Sequence, residues 1–220
     1  MDRIAIYNQS KEVINRLVES SLSVREKYPS MQEDGGFFTI GNLKGTSYSI
    51  ALKDNPYDEI YTALEEQECY HAKMIDGGLL SMCYQFKGDT GELRKHRLTY
   101  FPSPELPQYE ECPLLYERDD LYLDIRQKKI VRFPIRFDFD PENHKDVVHP
   151  KSHLTFGQYE NCRIPVSMPV SPRKFMLFVL RNFYHQAYTK HKNVFDKRME
   201  NVPPLPTLTE QEQRIGYFTL

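Results

Sequence analysis

The chain has 220 residues, 40% of them hydrophobic and 13% aromatic with no Trp, which is enough to bury one large core built on rings and β-branched side chains. Against 31 Asp and Glu stand 29 Lys and Arg, so the formal charge of −2 excludes a global field for nucleic acid or an anionic membrane and confines any such contact to a local patch. Cys69, Cys83, Cys112 and Cys162 form no C-x-x-C pair, so structural zinc is not expected and reduced cytoplasmic thiols are.

The opening "RIAIYNQSKEVINRLVESSL" has no apolar central run, so no secretory leader is expected. Ile4, Ile14, Leu17, Val18 and Leu22 recur at helical spacing and predict one amphipathic helix, with a break or fresh N-terminus near Ser10 as the alternative. After Gly35-Gly36, "FFTI" and "TSYSIALK" flank "GNLKG" and predict a hairpin. In "NPYDEIYTALEEQECY", Pro56 opens a helix with Asp58 and Glu59 in its first turn and Ile60 and Leu64 on one face. "LLSMCYQFK" and "LRKHRLTYF" flank "GDTGE", a second hairpin. Four prolines from Pro102 to Pro113 mark an ordered connecting loop, and "LYLDIR" and "KKIVRFPIRFDFD" read as two further strands.

Ser171-Pro172 caps the helix "RKFMLFVLRNFYHQAY", apolar around most of its circumference and therefore expected at the centre. The proline-rich stretch before Thr209 reads as an extended link, with a short capped helix beginning there. No stretch approaches the roughly 18 apolar residues of a membrane span. The expectation is an α+β protein: one domain over 1–190 with a mixed or largely antiparallel sheet, N-terminal helices and one long buried C-terminal helix, then a tail over 191–220 docked on itself or on a partner.

The chemistry concentrates in "RFDFDPENHKDVVHPKSHLTFG". Alternation puts Val131, Phe133, Ile135, Phe137 and Phe139 on one face and Arg132, Pro134, Arg136, Asp138 and Asp140 on the other, expected to stay open. Leu154 and Phe156 must join the same core, which places His153 and Thr155 with the polar set; antiparallel pairing then sets Asp140 near His153. A carboxylate beside a histidine fixes its tautomer, and arginines on the same surface can hold a phosphate. Metal-independent phosphodiester cleavage needs those parts. His153 and His149 are the candidate proton carriers, Asp138 or Asp140 the orienting acid, and Arg136, Arg132 and Thr155 the substrate contacts. Arg181 and His185, one turn apart on the C-terminal helix, are placed to complete the site.

Two other readings stand beside this one. Asp138 or Asp140 with His144, His149 or His153 could ligate a metal, although Pro150 keeps His149 and His153 off a helical pair and no cofactor is expected. The plainest reading is cross-strand ion pairing with solvated loop histidines. "LRKHRLTYFP" groups cations with rings, but alternation splits them between faces and a solvated strand is expected. There is no P-loop, dinucleotide fingerprint, nucleophile elbow or H-E-x-x-H.

"YQF", "KHRLTYFPSP", "RFDFDPENH", "HPKSHLTFGQYENCRIPVS" and "FVLRNFY" together resemble an uncharacterised bacterial family, domain of unknown function 2290, over about Leu79 to Tyr184. The resemblance carries no activity. It implies a small intracellular bacterial protein, encoded beside a partner in a defence or toxin-type locus. The functional expectation is a metal-independent ribonuclease-like effector acting on RNA or another phosphodiester, with a protein partner from the same operon and no membrane. The alternative is a non-catalytic protein-binding subunit of a defence complex.

Overall fold

The structure, a computed structural model, describes residues 1–41, 55–104, 133–159 and 161–215. Helix α1 (Arg3–Glu19) starts where the Asp2 carboxylate accepts from the Ala5 amide at 2.8 Å. It runs unbroken through Ser10, whose hydroxyl donates back to the Ile6 carbonyl and so opens no new helix. Its buried stripe is Ala5, Ile6, Val13, Ile14 and Leu17; Ile4 and Val18, expected in that stripe, face water.

Strand β1 (Ser23–Glu26) is followed by β2 (Met31–Asp34) and β3 (Phe37–Ile40), which form a hairpin around Gly35-Gly36. Both glycines take positive φ, +56° and +80°, as a two-residue hairpin turn requires. The expected hairpin partner "TSYSIALK" and the strand "LYLDIR" lie outside the described residues. Helix α2 (Tyr57–Glu66) begins after Pro56 as its sequence predicts, burying Ile60, Tyr61 and Leu64.

Strands β4 (Ala72–Met74), β5 (Leu79–Lys87), β6 (Leu93–Phe101), β7 (Ile135–Phe139), β8 (Ser152–Phe156) and β9 (Ile164–Pro165) follow. All pair antiparallel in the order β1-β4-β5-β6-β7-β8-β9, while β3 joins the β4 edge of β5 nearer its C-terminal end. The fold is α+β with a large antiparallel sheet. Gly88 sits where the two hairpins meet: its amide donates to the Gly36 carbonyl at 2.7 Å, and a Cβ there would lie 2.6 Å from that oxygen. Backbone cannot yield as a side chain can, so Gly88→Ala is expected to lower stability by about 1–3 kcal/mol in urea unfolding. An unchanged midpoint would mean the hairpins separate freely.

One face of the sheet carries the main core. Met82, Tyr84, Phe86, Leu98, Ile135, Phe137, Phe139 and Leu154 pack against α1 and against α3 (Pro172–Phe183). The Ser171 hydroxyl caps α3 by accepting from Lys174 N. The expected long helix is in fact interrupted: α3 stops at Tyr184, and short turns α4 (His185–Lys190) and α5 (Lys192–Phe195) follow. Tyr184 leaves helical geometry at φ −129°, ψ 44°. Its buried hydroxyl donates to Asp76 Oδ1 at 2.7 Å and lies 2.9 Å from Tyr100 Oη, a network that a continuous helix would have to forgo. Along α3 only Lys174, Arg181 and Asn182 are exposed, so the helix is apolar around most of its circumference.

Arg16, 2% exposed, reaches from α1 to donate to the carbonyls of Phe195, Lys197 and Arg198. The tail returns along β9: Thr207 donates through its amide to Ser167 O and through its hydroxyl to Val166 O. Helix α6 (Glu210–Ile215) then starts with a reciprocal cap between Thr209 and Glu212, the S/T-x-x-E arrangement expected at that point. Among the described residues no helix is long and apolar enough to cross a membrane.

Candidate functional site

The second face of the sheet is polar at its centre. Because side chains alternate along each strand, the antiparallel register builds two cross-strand rows there. One runs Ser81, Thr99, Arg136, Thr155, and the other Cys83, Arg97, Asp138, His153. Helix α2 covers the β5–β6 end of this face through Leu79 and Phe101.

Asp138 is the hub. Its Oδ1 accepts from Arg97 Nε at 2.8 Å and its Oδ2 from Arg136 Nε at 2.6 Å. Burial alone would raise this carboxyl, but the charges of Arg97 and Arg136 outweigh it and hold it below the usual carboxylate range. Burial lowers the Arg136 guanidinium against the opposing pull of Asp138, and the like charges of Arg97 and Arg163 push the same way as burial. Arg163 therefore adds positive potential beside Arg136.

His153 is 3% exposed and stands directly across from Asp138. Its Nδ1 lies 2.9 Å from the Pro150 carbonyl, which can only accept, so Nδ1 carries the proton. Nε2 is left with its lone pair, 3.8 Å from Asp138 Oδ2. Burial lowers the His153 pKa, opposed by Asp138 and the Pro150 carbonyl, and the ring is neutral at pH 7. Beside it the Thr155 hydroxyl, opposite Arg136, is buried and has no hydrogen-bond partner among the described residues.

Arg136, Asp138, His153 and Thr155 are thus gathered on one patch. The patch is not the open surface expected, since Asp138, His153 and Thr155 are all almost fully buried. Asp140 belongs elsewhere: the register sets His153 against Asp138, two residues earlier, while the Asp140 amide donates to Lys151 O and its carboxylate accepts from Asn143. His149 does approach. Its ring centroid is 4.9 Å from that of His153, edge on, and its Nδ1 is buried without a partner among the described residues. A bridge between Lys145 and His149 holds the loop in that position. Arg132 lies outside the described residues.

Arg181 and His185 cannot complete this site. Helix α3 packs through Phe175 and Phe178 on Phe137, on the opposite side of the sheet. Arg181 donates to the Tyr188 hydroxyl, and His185 is exposed. Among the described residues Asp138 joins no group of three metal-ligating side chains within reach of one another, and its oxygens accept from Arg97 and Arg136.

Sequence reasoning missed Arg97. The signal was present in "LRKHRLTYF", where alternation sends His96 and Leu98 to the core and Arg97 and Thr99 to the other face. Alternation does split the cations, but Arg97 is bound to Asp138 instead of standing in solvent. The two clefts described, one lined by Lys87, Arg94 and Glu142 and the other by Ser21, Leu22 and Ile75, share no residue with the patch.

Residues 22–220 match the model of a family described as uncharacterized conserved protein, DUF2290. No curated protein and no solved structure matches the chain.

Proposed function

The chain belongs to this uncharacterized conserved family, and from that premise we propose that it acts on a phosphodiester, as a metal-independent ribonuclease does, through the Arg136–Asp138–His153 face. The observation that carries the reading is the pairing of Arg136, anchored through Nε by Asp138, with the buried and partnerless Thr155 hydroxyl across the strand. A cation and a free donor fixed side by side suit an anionic oxygen. His153 supplies the base: its Nδ1–H is held by the Pro150 carbonyl, which leaves the Nε2 lone pair to take a proton.

In the proposed step, the ribose 2′-oxygen forms a bond to phosphorus as the 5′-oxygen bond breaks. The 2′-hydroxyl proton passes to His153 Nε2, and the leaving oxygen takes a proton from His149. Arg136 and Thr155 bind the non-bridging oxygens. A bacterial defence or toxin-type setting, with a partner encoded alongside, is part of the proposal.

A specific observation favours a second reading. His153 and Asp138 are only 3% and 5% exposed, which suits a rigid ionic core beneath the partner surface of a non-catalytic subunit. One experiment separates the two. Purified protein is incubated with single-stranded RNA in the presence of a chelator, alongside His153→Ala and Arg136→Ala. The first reading expects cleavage that His153→Ala lowers by about 10²–10⁴-fold with thermal stability retained. Absent cleavage, or cleavage indifferent to His153, sinks it.

A further inference from the structure

A second cluster lies where the β7–β8 loop meets the tail, and it shares no residue with the Arg136–His153 patch. His144 Nε2 is 3.3 Å from Asp146 Oδ1 and 3.5 Å from Glu212 Oε1, and one ligand atom from each of the three lies within 4.8 Å of the others. We propose that His144, Asp146 and Glu212 form a binding site for a divalent transition-metal ion of zinc's class, which fastens α6 to the loop between β7 and β8.

The strongest support is the state of Glu212. Its side chain is fully buried. Oε2 is used by the cap, accepting from the Thr209 amide at 3.0 Å, whereas Oε1 is buried with no hydrogen-bond partner among the described residues. A buried carboxylate oxygen without a donor is costly, and Oε1 faces the His144 ring. The imidazole does not relieve it. His144 Nε2 is itself buried and makes no hydrogen bond among the described residues, so its N–H direction aligns with neither carboxylate despite the short distances. A protonated histidine serving as an ionic clamp would turn its N–H onto one of them.

The separations suit a metal. Zinc held by nitrogen and oxygen at about 2.0–2.1 Å places tetrahedral ligands about 3.3–3.4 Å apart. The two histidine-to-carboxylate distances bracket that edge, and the Asp146 and Glu212 oxygens lie within 4.8 Å of each other. One imidazole with two carboxylates, and water in the fourth position, is a donor set suited to zinc and its neighbours. The spacing escapes a motif search because two ligands come from one loop and the third from a helix far along the chain.

The test titrates chelator-treated full-length protein with zinc chloride by calorimetry and follows melting. The expected result is one zinc ion per chain and a higher melting temperature with zinc. Asp146→Asn, at an exposed position, and Glu212→Gln, which keeps an amide oxygen for the Thr209 cap, should each weaken binding at least about tenfold while melting as the parent does in chelator. Should Glu212→Gln unfold, Asp146→Asn and His144→Ala decide alone. Absent zinc uptake, or uptake that Asp146→Asn and His144→Ala leave unchanged, overturns the site. RNA cleavage in chelator is read in parallel, so failure of this proposal leaves the phosphodiester reading standing or falling on its own assay.

Discussion

Asp138→Asn is expected to cost about 3 kcal/mol of folding stability, the lower end of the range for breaking a buried ion pair from one side. The amide keeps the shape and removes the charge, leaving the Nε–H groups of Arg97 and Arg136 without their carboxylate. The lower end applies because the Arg97 and Arg136 side chains keep 25% and 21% of their surface in contact with water, which partly solvates the charges left behind. Removing all three charges together with Arg97→Met, Asp138→Leu and Arg136→Met should cost much less than the single change, since no uncompensated charge remains. Urea unfolding of the two variants makes the comparison. A single-variant loss below about 1 kcal/mol would show that water replaces Asp138 readily and that the hub fixes little.

Acid should destabilise the fold well above the range in which carboxylates titrate. Burial pushes both His71 and His96 down to about 4 from an ordinary value of 6.5. Each accepts a backbone hydrogen bond that protonation would abolish, His71 Nδ1 from Met82 and His96 Nε2 from Val170. Between pH 6.5 and about 4 the unfolded chain binds protons at these positions and the folded chain does not, so stability falls as pH falls across that window. At 1.36 kcal/mol per pKa unit, each histidine accounts for roughly 3 kcal/mol by its lower end. His153 acts in the same direction.

Two acids modify the profile. Asp138, held low, contributes stability that is present above the ordinary aspartate range and lost as pH falls through its folded value, which lies below the histidine window. Asp76 is held high by burial, against its bonds from Tyr184 and Gly78, and opposes the histidines by taking up its proton earlier when folded. The net expectation is a urea midpoint that drops steadily from pH 7 to 4.5, with a shallower slope in His71→Gln and His96→Gln. A flat midpoint over that interval would mean both rings are hydrated in solution.

What could be read from residue order follows the strength of each local signal. "GDTGE" between two alternating runs yields the β5–β6 hairpin, and the phase of "RFDF" and "SHLTF" puts Arg136, Asp138, His153 and Thr155 on one side. Strand β2 is "MQED", a short and mostly exposed edge strand whose charges hide it from any hydrophobic pattern while suiting an edge. The register between β7 and β8 could not be had from phase alone. A slip of two residues keeps every side chain on its face, so Asp140 and Asp138 were equivalent partners for His153 until the loop geometry selected one. The stop at Tyr184 and the meeting of Glu212 with His144 are tertiary, set by a buried hydroxyl network and by where the tail returns.

The Arg16 anchor has a bearing on synthesis. The carbonyls that receive its guanidinium lie 179, 181 and 182 residues downstream, so the first helix leaves the ribosome long before its acceptors exist. At about 5–20 residues per second that interval is about 10–35 s, during which a nascent helix bearing an apolar stripe waits exposed, its Arg16 matched by Glu12 one turn earlier but not by its distant carbonyls. Closure of this contact therefore waits on synthesis of the segment from Phe195 to Arg198, and until then the growing polypeptide offers a chaperone a long-lived target in that helix.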